Sequence, residues 1–255
     1  MADKLILMQG WGVRAILDGT KRQTRRVRGL NHINAQPEYW FGVEECKDDM
    51  GFCFTGGNSR NASSWDESYV VPPYEVGDRL GVKETWQIAD TDGGGSQAAI
   101  AYRAYDAGDV VWVDVPVEWE SRVSAMPGGV GWRPSIFMPK WAIRRWLEVT
   151  DVRCQRVQDI TKADTLAEGC RNNPEDFLEL PGPRYIFLQR WDEINAKPKP
   201  QMHNLLGEKE KCYVSYPWAD IQETRTKNGL PWYVAGNPWV FAYTFEVAQG
   251  GLSCQ

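Results

Sequence analysis

The 255-residue chain has only two histidines, His32 and His203. That leaves little support for a Ser-His-Asp or Cys-His catalytic site. Neither an HExxH zinc motif nor a G-x-S-x-G nucleophile elbow occurs. Gly77 and Gly81 precede Val82-Lys83, which is not the frame of a phosphate-binding P-loop. The six cysteines, at positions 46, 53, 154, 170, 212 and 254, form no CxxC pair, so neither a zinc ribbon nor a redox motif is indicated. Most are expected to be free thiols in a reducing compartment. No apolar run approaches the roughly 20 residues that a membrane span needs. Leu5-Ile6-Leu7-Met8 is too short for the core of a signal peptide, so the expected location is the cytosol. No internal repeat is found. These absences leave Lys, Thr, Ser, Arg, Asp and Glu to carry any chemistry, and neither a metal nor an organic cofactor is expected.

What is present is the composition of a globular protein, with 42% apolar and 25% charged residues. The length suits one large domain that buries its core without metal or disulfide help. Thirteen tryptophans stand out. Many adjoin proline or arginine, as in Trp132-Arg133-Pro134 and Pro238-Trp239. Core and loop-anchoring roles account for most of them, and stacking on bases is the functional alternative. The net charge of −5 gives no global field attractive to polyanions. Against that background Lys21, Arg22, Arg25, Arg26 and Arg28 place five cations in eight residues. Such a patch suits one phosphate or a short strand better than a long duplex.

Periodicity places a strand at Leu5–Met8 and a helix at Trp11–Asp18. Val13, Ile16 and Leu17 share one face of that helix, and Gly19 stops it. Residues 31–68 show little periodicity and read as a loop-rich insertion. Tyr74–Asp78 is turn chemistry, and Arg79–Trp86 alternates as a strand. Residues 90–97 read as a flexible glycine loop, and Ala99–Tyr105 as a strand. Pro139–Ile143 suits one helical turn, and Trp146–Val157 a long strand. Thr161-Lys162-Ala163-Asp164 matches a capping box, predicting a helix over Lys162–Glu168 that ends at Gly169. Pro183–Asn195 is a further helix with proline in its first turn. Residues 196–236, polar and interrupted by proline, read as a second insertion. Trp239–Val247 closes the chain as a strand. Strands interleaved with short helices, without a regular βαβ repeat, predict an α+β domain with a small barrel-like sheet.

The segment after the first helix carries a resemblance. Ala15-Ile16-Leu17-x-Gly19-x-Lys21-x-x-Thr24-x-Arg26 resembles the signature of ASCH domains, which have a PUA-like fold. Gly77-Asp78-Arg79-Leu80, Ala163–Gly169 and the last strand follow in the matching order. The resemblance covers most of the chain, with 31–68 and 196–236 as insertions into one domain of residues 1–255, and is greatest to the longer ASCH proteins of phages and prophages. It implies a PUA-like mixed β-barrel flanked by short helices. One branch comprises N4-acetylcytidine amidohydrolases that use a Lys, a Thr and a Glu. By resemblance the first two fall on Lys21 and Thr24, and the acid on Glu168, with Glu84 competing. Arg26 and Glu84 are the candidate substrate-binding residues.

The chemistry is coherent on its own terms. Threonine can attack an acyl carbon if a base takes its proton, and a lysine amid arginines and partly buried is expected to have a depressed pKa. A carboxyl at a helix C-terminus is expected to have a raised pKa, as suits the donor to a leaving nitrogen. The three groups are expected to converge. Free nucleoside is the expected substrate, in keeping with the acidic net charge, and RNA is the alternative partner. A non-catalytic RNA- or nucleotide-binding module is the competing reading. A nuclease would sit more comfortably with an acid pair or a histidine.

Overall fold

The computed structural model describes residues 3–46, 51–57, 65–104, 110–126, 131–171, 182–205 and 208–248. Along the chain run β1 (Asp3–Leu7), α1 (Gly10–Leu17), β2 (Gln23–Arg26), β3 (Trp40–Cys46), β4 (Gly51–Gly56), β5 (Asp66–Val70), β6 (Arg79–Lys83), β7 (Trp86–Thr91), β8 (Gln97–Tyr102) and β9 (Val110–Asp114). They are followed by α2 (Val117–Ser124), β10 (Trp146–Arg156), α3 (Lys162–Ala167), α4 (Pro183–Asn195), β11 (Lys199–Leu205), β12 (Glu208–Ser215), β13 (Gln222–Lys227), β14 (Leu230–Ala235) and β15 (Trp239–Val247). The class is α+β and rich in strand. Two compact units result: Met1–Arg22 with Val76–Thr150 and Phe245–Gln255, and Gln23–Glu75 with Asp151–Thr244.

In the first unit β1 runs parallel to β6, with Asp3 opposite Arg79 and Leu7 opposite Lys83. The start of β10 pairs antiparallel with β6, Trp146 opposite Gly81. A second sheet is the antiparallel meander β7-β8-β9. Its buried face joins Trp86, Ile88, Ile100, Tyr102 and Val113 to Met138 and Ile143 in one apolar cluster. The predicted strand Arg79–Trp86 is therefore two strands. β6 ends at Lys83, and Trp86 leaves it to pair with Tyr102 in the meander. Glu84 and Thr85 occupy the join. The predicted loop at 90–97 is a hairpin, because the Asp92 carboxylate accepts from the Gly95 amide and the Ser96 hydroxyl and ties the turn.

α1 forms where it was predicted, one residue earlier at each end. Val13, Ala15 and Ile16 are buried. Gly19, at φ +67°, takes the left-handed conformation that ends the helix. The amides of Thr20 and Lys21 then both donate to the Ala15 carbonyl, at 2.9 and 2.8 Å. Lys21 is thereby folded back against its own helix.

In the second unit β15 pairs antiparallel with β2, Phe241 opposite Arg26 and Tyr243 opposite Thr24. The capping box of α3 is present: Asp164 N–H donates to Thr161 Oγ1 at 3.1 Å, and the Thr161 amide donates to the Asp164 carboxylate at 3.3 Å. Phe187 and Trp191 on α4 pack with Val157, Ile160, Cys170 and Val240.

Two segments differ from expectation. Residues 31–68, read as loop-rich, contain the antiparallel sheet β3-β4-β5. Phe52 and Phe54 are buried, whereas glycines at both ends of β4 mask its strand pattern. Residues 196–236 hold the sheet β11-β12-β14-β13. Its prolines are tolerated because Pro200 lies on the edge strand β11. Pro231 falls before the stretch of β14, Trp232–Val234, that pairs with β12.

Candidate functional site

Lys21 is buried, with 2% of its surface exposed. Its Nζ lies 5.1 Å from the centroid of the Trp11 ring, a cation–π placement within the first unit. Trp11 in turn lines a cavity of about 350 Å³ with Gln9, Gly10, Arg14, Glu84, Thr85, Arg103 and Ala104. α1 supplies the indole, and the join between β6 and β7 supplies Glu84.

Glu84 is 1% exposed. Its carboxylate accepts a bidentate pair from Arg144, Nε to Oε1 at 2.8 Å and Nη2 to Oε2 at 2.9 Å. The Arg144 guanidinium is itself buried and stands 4.1 Å from the Tyr102 ring centroid. Tyr102 is held there by donating its hydroxyl to the Ala142 carbonyl. Burial pushes the Glu84 carboxyl above its usual pKa, outweighing the opposing effect of Arg144 and Arg145.

Thr24, Arg26 and Glu168 belong to the second unit. Thr24 is buried on β2, opposite Tyr243. Glu168 is the C-cap of α3, where Gly169 at φ +79° follows it. Its carboxylate pairs with Arg25 Nη1 at 3.1 Å. Arg25 Nη2 lies 3.2 Å from Asp164, which also holds Arg153 at 2.9 Å. Glu168 thus takes part in a buried network that ties β2 to α3. Arg26 is half-buried. Burial lowers its pKa from the usual arginine value, against the opposing influence of Tyr74, Glu168 and Tyr243.

The sequence pattern singles out four buried positions, Lys21, Thr24, Glu84 and Glu168, but not Trp11, Arg144 or Arg103. Trp11 carried a signal, being an aromatic in the first turn of the helix that precedes Lys21. Arg144 carried none, because its partner lies 60 residues away. Among the described residues no group of three or more His, Cys, Asp or Glu side chains is arranged to hold a metal ion. No described cysteine forms a disulfide. No described helix is long and apolar enough to cross a membrane.

Comparison with known proteins finds no match: no family model, no curated protein and no solved structure is similar to this chain.

Proposed function

We propose that the protein is an amidohydrolase of the ASCH type, with a PUA-like barrel, that releases cytidine from N4-acylcytidine. The observation that carries this reading lies in the first unit, where Trp11 faces the buried Lys21 and also lines a cavity together with a carboxyl whose pKa is raised by burial. A buried lysine suits a base and an acid of raised pKa suits a proton donor, the two roles amide hydrolysis requires.

In this scheme the roles follow the Gly19-x-Lys21-x-x-Thr24 sequence motif: the threonine hydroxyl attacks the acyl carbon and a neutral lysine amine takes its proton. The exocyclic nitrogen of cytosine leaves with a proton from the acid, and water then hydrolyses the acyl-threonine ester. Both candidate acids are paired with an arginine, Glu84 with Arg144 and Glu168 with Arg25. Glu84 is favoured because it combines a raised pKa with a place in the wall of a cavity. Arg26 serves as a brace through its fork of donors.

The test is incubation with N4-acetylcytidine, with cytidine followed by chromatography. Wild type releases cytidine, and Lys21→Ala, Thr24→Ala and Glu84→Gln each abolish release. Near-wild-type activity in Thr24→Ala would replace the covalent route by a lysine-activated water. Retention in Glu84→Gln with loss in Glu168→Gln would return the acid to Glu168. Tight nucleotide binding without turnover would favour the non-catalytic module.

A further inference from the structure

The cavity beside Trp11 has a charge pattern that a neutral nucleoside leaves unexplained. Its lining contains three charged side chains, Arg14, Glu84 and Arg103. Glu84 is neutralised by the bidentate contact from Arg144. Arg14 and Arg103 are exposed, and among the described residues neither makes an ion pair. The wall is therefore cationic in a chain whose net charge is −5.

The placement of Arg14 sharpens the point. A Cβ built on Gly10 would lie 3.9 Å from Arg14 Nη1, so the guanidinium folds back over the first turn of its own helix. That end of α1 has no acidic residue in its first turn and no side-chain cap from Gln9. A cation at the positive end of a helix, with a second guanidinium lining the same cavity, makes this wall attractive to an anion. The apolar wall formed by Trp11 and Ala104 leaves room beside the anion for the rest of a ligand. About 350 Å³ is the scale of a small-ligand pocket.

We propose that Arg14 and Arg103 bind the phosphate monoester of a nucleotide, so that the preferred ligand of this cavity is a nucleoside monophosphate rather than a free nucleoside. The nucleoside portion rests on the function proposed above, and the phosphate recognition rests on the cavity alone.

Titration calorimetry on the full chain tests it, with cytidine, cytidine 5′-monophosphate and inorganic phosphate as probes. At low salt the monophosphate binds about tenfold or more tightly than cytidine, as charge-assisted hydrogen bonds to two guanidinium groups require. That advantage shrinks as salt is raised, and inorganic phosphate competes with the monophosphate. In Arg14→Gln and in Arg103→Gln, both exposed positions where substitution leaves the core untouched, the affinity ratio falls toward one. Equal binding of cytidine and its monophosphate by wild type overturns the proposal. So does an advantage that survives in both variants. A cytidine dinucleotide with only an internal phosphodiester, bound as tightly and with the same arginine dependence, would overturn the monoester in favour of a nucleic-acid strand. Hydrolysis of N4-acetylcytidine is assayed on the same preparations. Turnover without a monophosphate advantage sinks only the phosphate site, and a monophosphate advantage without turnover sinks only the amidohydrolase reading.

Discussion

At the scale of single residues, the Glu84–Arg144 pair is the most exacting feature. Both side chains are withdrawn from water, and both Glu84 oxygens accept from Arg144. Removing one partner leaves a buried charge uncompensated, so Arg144→Met is expected to lower stability by about 3–5 kcal/mol, measurable by urea unfolding. The raised Glu84 pKa also fixes the sign of a pH effect. Because the folded state favours the protonated acid, stability from this group is present below the ordinary carboxylate range and is lost as pH rises through the raised value. Glu84→Gln should flatten that part of the stability profile. If Glu84 is the proton donor, wild-type cytidine release should decline over the same rise in pH. Lys21 and Thr24 were legible as a motif because both lie on one short segment. Their partners were not, because burial and ion pairing depend on residues far along the chain.

At the scale of elements, α3 shows how a local signal acquires a longer-range role. Its six residues are started by the Thr161–Asp164 box, and Asp164 also receives Arg153 and faces Arg25. Burial opposes ionisation of Asp164, but the hydrogen bonds from Arg153 and Thr161, with the charge of Arg25, win and hold its pKa at about 2. Stability from this group is therefore present above the ordinary aspartate value and is lost as pH falls from there toward 2. Thr161→Ala should cost about 1 kcal/mol by loss of the cap. Asp164→Asn should additionally weaken the acid dependence of unfolding, followed by circular dichroism between pH 5 and pH 2. Helices α1, α3 and α4 and strands β10 and β15 were all readable, since each has its own periodicity and punctuation. The sheets β3-β4-β5 and β11-β12-β14-β13 were not. Glycine at the ends of β4 and proline in β11 and β14 resemble loop chemistry until the pairing partners show which positions are edges.

At the scale of the whole molecule, each unit is assembled from segments remote in sequence. β6 receives its parallel partner β1 from the start of the chain. A fragment of residues 76–150 lacks that partner, and it is expected to show no cooperative unfolding transition in denaturant. Chelator treatment should leave cytidine release unchanged, and restoration of a lost activity by zinc would contradict the proposed metal-free chemistry. The sequence by itself determined the α+β class, the principal helices and the Lys21–Thr24 segment, because local periodicity, capping and turn residues act within a few positions. Only the tertiary structure decided that Arg79–Trp86 divides into two strands with Glu84 at the join, and that Arg144 neutralises that carboxylate. It also brought Arg14 and Arg103 to one cavity. Those outcomes follow from strand pairing and burial between distant segments, which no local pattern encodes.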